Sequence, residues 1–380
     1  MTNTSAKNHS NLRFVCKERS SFYRTVTKRV NDYFKENNVS KYGNFTMYFK
    51  SLLFIGGTAL IYALIITEVL NIWAMLGLAI LMGCFKAFIG FNVCHDAIHG
   101  SYSSNKAVNK FFSLVFNVIG ANEYVWKLTH NLVHHTYTNI PGHDEDIDVA
   151  PGLVRLSPTE EWKKHMKYQH FYAFPLYGLA SISWVFRKDY KKFFQKQIGM
   201  VKNDHKPIEY FNLFFFKAVY YAIFIVIPLM VMEMPAWQYL LGFVIMHLAQ
   251  GVVLGLVFQL AHVVEGTDFP EPSPESGNIE EDWAIHQMQT TANFARKNLI
   301  ANFLCGGLNF QIEHHLFPNI CHVHYLKISE IVKATAIEFN VPYHENETFV
   351  GALKSHYKVL KEFGHNHISR KSMAQVEAVA

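Results

Sequence analysis

Apolar residues gather in four long runs, at positions 51–70, 72–94, 211–232 and 237–261, and stretches of mixed polarity separate them. A helix rises about 1.5 Å per residue, so about 20 mostly apolar residues carry it across the hydrocarbon core of a bilayer. Each run is long enough. They form two pairs, each closed by a very short connection, one around Asn71 and one at positions 233–235, and this predicts two hairpins of membrane-spanning helices. Of the 35 Lys and Arg residues, ten precede the first run, 14 lie between the pairs and nine follow the last, while Lys86 and Lys217 fall inside runs and the two short connections carry none. By the positive-inside tendency, both termini and the central region are expected on the cytoplasmic side.

The remaining segments read less clearly. Phe22, Val26, Val30, Tyr33 and Phe34 recur at helical spacing among basic residues, which predicts a helix lying on the bilayer surface. Positions 111–121 are too short to span and predict an interfacial or buried helix. Positions 168–186, broken by Pro175 and Gly178, are expected at the interface. Positions 265–282 are acidic and rich in proline and predict an exposed loop. A helical pattern over 298–310 leads into QIEHHLFP, where Pro318 is expected to end the helix. The domain reading is a cytoplasmic arm at 1–50, a membrane domain at 51–363 and a C-terminal tail at 364–380, with His356, His365 and His367 solvated.

Composition adds little to this picture. The chain of 380 residues is half hydrophobic and rich in aromatics, with 32 Phe, 19 Tyr and 6 Trp, and its net charge of +5 follows from the basic membrane flanks rather than from a nucleic-acid partner. Five cysteines without CxxC spacing argue for reduced thiols that pack. The first 50 residues show no secretory signal.

Candidate chemistry lies in three histidine clusters: His95 and His99 in HDAIHG, His130, His134 and His135 in HNLVHH, and His314 and His315 in QIEHH. Side chains four apart on a helix share a face, so His95/His99, His130/His134 and Gln311/His315 can each reach one bound atom. Neutral imidazole is the commonest protein metal ligand, and seven exceed what one mononuclear site uses. The clusters therefore predict a polynuclear site of two metals. Imidazole alone does not choose among zinc, copper, iron and nickel, and no nucleophile triad or phosphate loop is present, which leaves redox chemistry or metal-assisted hydrolysis.

HDAIHG, HNLVHHTYTNIPGHDEDID and GGLNFQIEHHLFP resemble the three histidine boxes of the membrane fatty acid desaturases, and the glutamine opening the third box marks the front-end subgroup. The resemblance covers roughly positions 45–363. It implies an all-α integral membrane protein whose four transmembrane helices carry a cytoplasmic helical cap around a di-iron site. It further implies insertion of a cis double bond into an acyl chain, as acyl-CoA or acyl-lipid, with dioxygen and two electrons, and a kinked tunnel for that chain. His95, His99, His130, His134, His135, His314 and His315 would ligate iron. Gln311 stands where related desaturases have a further histidine, and His262, at the end of the fourth apolar run, is the candidate to complete the shell. Ligating histidines usually donate their second N–H to a carboxylate or carbonyl, so Asp96, Asp144, Asp146, Asp148 and Glu313 are candidates for that role, Asp146 foremost, with Asn92 and Asn139 beside them. Lys86 is expected to snorkel.

No HPGG haem motif and no GxGxxG nucleotide motif occur in these residues. Electrons are then expected from a separate ferredoxin, flavodoxin-like carrier or cytochrome b5, for which Lys163, Lys164, Lys167, Lys188, Lys191 and Lys192 offer a basic docking face. Alternatives on the same scaffold are a fatty acid or lipid hydroxylase and a sphingolipid desaturase. From other classes, a metal transporter would hold its ligands near the bilayer midplane, and a metalloprotease would need an HExxH helix, which is absent.

Overall fold

The computed structural model describes residues 12–365, apart from 17–19, 145, 148, 149, 151, 200 and 203. Asparagines start several of its helices, because a short side-chain amide can accept from an otherwise unpaired N–H of the first turn. Asn44 accepts from Thr46 N, Asn71 from Ala74 N, Asn105 from Ala107 N and Asn122 from Val125 N. In chain order the helices are α1 (Phe22–Glu36), α2 (Phe45–Ile66), α3 (Ile72–His99), α4 (Lys106–Val118), α5 (123–137), α6 (169–193, interrupted at Gly178), α7 (Pro207–Val231), α8 (Ala236–His262), α9 (Trp283–Thr290), α10 (Leu299–Leu304), α11 (Gln311–Leu316), α12 (Tyr325–Glu338) and α13 (Phe349–His365). Two short strand pairs interrupt the expected all-helical chain: Gln197–Ile198 antiparallel to Val201–Lys202, and Ala292–Phe294 parallel to His344–Asn346.

Helices α2, α3, α7 and α8 are long and apolar enough to cross a membrane, with mean hydropathy of 1.9 to 2.2. They match the four predicted runs, but α2 starts six residues early at its Asn44 cap and α3 continues through His99. Capping and cluster packing, rather than hydropathy, fix those ends. Large apolar side chains on these helices, including Leu52, Trp73, Met230 and Trp237, are exposed, as a lipid-facing surface requires. Helix α8 packs between α3 and α6. A Cβ on Gly83 would lie 2.2 Å from the Met246 carbonyl oxygen, and one on Gly251 would lie 2.2 Å from that of Gly178, so only glycine permits these backbone approaches.

The two lysines inside this bundle are paired. Lys217 Nζ donates to Asp189 Oδ2 at 2.7 Å and to the carbonyls of Gly120 and Val185, with both charges buried. Lys86 does not snorkel: it is fully buried, and its Nζ donates to Tyr220 Oη at 3.2 Å.

Helix α1 has the predicted periodicity but not the predicted partner. Phe22, Val26, Val30 and Phe34 pack on Ile328, Val332 and Ala336 of α12 and on Ile312 and Leu316 of α11. The apolar stripe is consumed by protein, not bilayer, and it braces the third histidine box from behind. Helical pattern over 298–310 shrinks to α10, since residues 305–310 turn through Gly306 and Gly307 at positive φ. His356 is not solvated. It lies buried on α13, with Nδ1 donating to Val263 O at 2.7 Å and Tyr177 Oη meeting its Nε2 at 2.8 Å. His365 is exposed, and His367 lies outside the described residues. Cys84, Cys94, Cys305 and Cys321 are free thiols.

Candidate metal centre

The first box closes α3. Residues Gly90–Cys94 form a π-helical turn and His95–His99 an α-helical one, so the two histidine rings stand 4.7 Å apart on one face. The second box lies on a longer π-helical segment, Lys127–His134. Its widened turns stack the rings of His130 and His134 at 5.0 Å and 18°, while His135 lies edge-on to His130. π-turns inside helices are frequent at functional sites. The third box is the six-residue α11, all of it buried, and Phe317 and Pro318 follow its end.

These segments converge. Ligand atoms of His95, His99, His130 and His314 lie within 4.8 Å of one another, and so do those of His134, His262 and His315. The ring of His135 lies between the groups, 4.8 Å from His99, 4.5 Å from His314 and 4.4 Å from His315. Among the described residues, the Nε2 atoms of His95, His99, His130, His135, His314 and His315 are buried without a hydrogen-bond partner. Six unpartnered buried lone pairs aimed at a shared space would be costly unless something binds there. Burial foremost, and then the neighbouring imidazoles, hold His130, His135, His314 and His315 well below the usual histidine range. They are neutral at physiological pH, the state in which imidazole ligates metal. The residues present therefore fit a metal site.

The outward nitrogens are held in turn. His130 Nδ1 donates to Asp146 Oδ2 at 3.0 Å, and His134 Nδ1 to Asp144 Oδ2 at 2.9 Å. Burial alone would lower His134, but the Asp144 carboxylate outweighs it and holds the ring above the usual range. His315 Nδ1 donates to Gln287 Oε1 at 2.7 Å, with Thr138 Oγ1 at 3.2 Å. His262 Nδ1 faces the Thr290 carbonyl at 3.4 Å, and Gln311 Nε2 donates to His262 Nε2 at 2.8 Å.

Comparison with known proteins gives this arrangement its family. A family model described as fatty acid desaturase matches residues 71–347. The chain belongs to the fatty acid desaturase family. It is 36% identical over 350 residues to an sn-1 linoleoyl-lipid 6-desaturase of Arthrospira platensis, covering 91% of this chain and 93% of that protein. It is 37% identical over 363 residues to the protein of the same name from Synechocystis sp., covering 91% and 96%. An acyl-lipid (8-3)-desaturase of Physcomitrium patens is 36% identical, with 93% of this chain and 74% of that one covered. These names are of the front-end type that the QIEHH box implies. The chain is thus a desaturase of acyl lipids, an oxidoreductase of lipid metabolism, and its four apolar helices mark an integral membrane protein.

In the desaturase, all eight histidines singled out in the sequence come together. The supporting residues sort differently. Asp144 joins His134, whereas Asp146, the foremost candidate, joins His130. Asp148 lies outside the described residues. Asp96 is 3.7 Å from His95 Nδ1 and accepts instead from His322 Nδ1 at 2.9 Å and Cys321 Sγ at 3.0 Å. Glu313 points away from the imidazoles to Asn293 and Tyr343, and burial pushes its carboxyl up to about 7. Asn92 accepts from Lys50 Nζ at 2.8 Å. Asn139, at positive φ, donates to the His262, Asp268 and Thr290 carbonyls and clamps the loop after the second box. Gln287, Thr138 and His322 were missed. Their only signal was polarity within otherwise apolar surroundings, which does not say what they face. Lys188, from the proposed docking face, lies 3.6 Å from Asp146 and over the Trp184 ring.

Outer partners of metal-ligating histidines are worth about 10–100-fold in metal affinity. Asp144→Asn is therefore expected to weaken metal retention by that factor, since it keeps the shape but loses the charge that faces His134. Metal occupancy against a graded chelator checks it; unchanged retention would assign Asp144 to loop anchoring alone, through Asn139 N and Asp146 N.

Proposed function

We propose that this desaturase inserts a cis double bond at the 6-position of a lipid-linked acyl chain, using two iron ions, dioxygen and a separate electron donor. The observation that carries the metal part is the pair of imidazole groups meeting at His135, with six buried Nε2 atoms unpartnered. His95, His99, His130 and His314 would hold one iron, and His134, His262 and His315 the other, with His135 between them. Gln311 Nε2 donates to His262 Nε2, so His262 would exchange that hydrogen bond for the iron. The 6-position and the acyl-lipid carrier rest on the names of the two cyanobacterial relatives.

A bound iron pair would supply dioxygen activation, by which two hydrogens leave adjacent acyl carbons as dioxygen and two electrons end in water. The chain's own residues do the rest. Asp146, Asp144 and Gln287 fix the tautomers of His130, His134 and His315, so that their Nε2 atoms are left free to face the ions. A hollow beside His95, lined by Phe91, Phe116, Trp126 and Phe258, would seat the acyl chain against that face and exclude water. Two hairpins, α2–α3 and α7–α8, with the metal centre and both termini on the cytoplasmic side, agree with the Lys and Arg distribution. An arm at 1–50, a membrane domain at 51–363 and a tail at 364–380 remain our division of the chain. Electrons would come from an acidic carrier, ferredoxin, flavodoxin-like or cytochrome b5, meeting basic residues around Lys188.

Expression in a host supplying redox partners and linoleoyl lipids, followed by mass spectrometry of derivatised fatty acids, tests the reading. The expected product is a new 6-unsaturated acid. A new bond elsewhere overturns the regiochemistry alone, and hydroxylated acids in its place would move the chain to the hydroxylase reading.

A further inference from the structure

Aromatic rings lead outward from the metal centre on the side of the second box. Trp126 is buried on α5, four positions before His130, so the two side chains share a face. Their rings stack with centroids 4.4 Å apart and planes 22° apart. Trp126 also stacks on Trp184 of α6, at 5.0 Å and 26°. Asp189 Oδ1 accepts from Trp184 Nε1 at 2.9 Å and fixes that outer ring. One turn further along α6, Lys188 places its Nζ 5.2 Å from the centre of the Trp184 ring.

Lys188 closes a circuit. Its Nζ lies 3.6 Å from Asp146 Oδ1, and Asp146 Oδ2 accepts from His130 Nδ1 at 3.0 Å. The lysine side chain is 33% exposed and that of His130 only 1%. A cation that meets solvent is therefore tied to a buried box histidine by two routes, one of contacting rings and one of polar contacts. Arg187 and Lys191, on the same helix, are exposed and add positive charge at this end. Packing alone accounts for two stacked indoles. It does not account for a stack that starts on a box histidine and ends beneath a lysine reaching the carboxylate that holds the same histidine.

We propose that Trp184 and Trp126 carry electrons from a carrier docked at Lys188 to the metal centre by way of His130. This rests on the desaturase reading above. Forming one double bond takes one dioxygen, two electrons and two protons from solvent, and with the two hydrogens of the acyl chain these leave as two waters. Each electron oxidises one acidic carrier of the ferredoxin class and reduces the centre, and no bond of the indoles forms or breaks. Electron tunnelling fades steeply across gaps and least across atoms in contact, so overlapping rings bring His130 electronically close to solvent. Positive charge at the outer end draws an acidic carrier to that point and orients it there.

The test mixes iron-loaded protein with reduced ferredoxin, without dioxygen or acyl substrate, and follows ferredoxin reoxidation by stopped flow. Trp126→Leu and Trp184→Leu are expected to lose most of the wild-type rate. They should keep the wild-type iron content and the wild-type rate of reduction by dithionite, which is small enough to need no docking. Trp126→Phe, which leaves a ring in the stack, should fall between wild type and Trp126→Leu, and it carries the comparison where leucine prevents folding. Lys188→Gln should slow reoxidation at low salt and flatten its salt dependence, since charges at the rim of an interface chiefly set the on-rate. Wild-type protein that takes no electrons even from dithionite counts against the metal centre of the desaturase reading. Wild-type protein that dithionite reduces and ferredoxin does not overturns the route, and so do tryptophan variants with unchanged ferredoxin rates or with equal losses toward both reductants.

Discussion

Replacing His134 with alanine is expected to abolish the unsaturated product, a loss of more than about 100-fold. His134 is the member of its group that a carboxylate orients: Asp144 meets its Nδ1 at 2.9 Å while its ring stands 4.7 Å from His262 and 5.0 Å from His315. Alanine removes one ligand and leaves Asp144, which is 2% exposed, without that donor. Among the described residues, Asn139 N and Asp146 N then remain to it. Elemental analysis of purified protein should show a lower metal content, and fatty acid profiles should match the empty host. Full metal content with normal product would remove His134 from the site, and with it the second imidazole group.

The other large effect concerns stability. Lys217→Met should destabilise the protein by about 3–5 kcal/mol, because removing one partner of a buried ion pair strands the other charge. The pair is tight, at 2.7 Å, and its side chains are 4% and 1% exposed. Asp189 also accepts from Asn122 N and Trp184 Nε1, so its loss of Lys217 would disturb the start of α5 and the tryptophan over which Lys188 lies. Pairing Lys217→Met with Asp189→Leu should recover much of the loss, since apolar replacement of a whole buried pair is often neutral. Thermal inactivation in detergent checks both variants; equal stability of wild type and Lys217→Met would mean that water reaches Asp189.

The spans and the histidine boxes were legible because each is written locally. A run of some 20 apolar residues needs no partner to be recognised, and two histidines four apart define a face on their own. What was not legible depends on distant segments. The stripe of α1 fits a bilayer or a protein surface equally well, and only α12 decides between them. Lys86 could snorkel on an isolated helix, but Tyr220, more than 130 positions later, captures it. Asp144 and Asp146 differ by two positions in one acidic loop, and which carboxylate meets which ring follows from how Asn139 folds that loop back. Gln287 carries no motif, and its role appears only once α9 lies against α11.

The rings of His95 and His314 are 4.4 Å apart in space and 219 positions apart in sequence. A ribosome adding about 5–20 residues per second needs on the order of ten seconds or more to cover that interval. Until then His95, His99 and His130 are short of the fourth imidazole that completes their group. The proposed metal centre can therefore be complete only late in the synthesis of each molecule, once its last third has emerged.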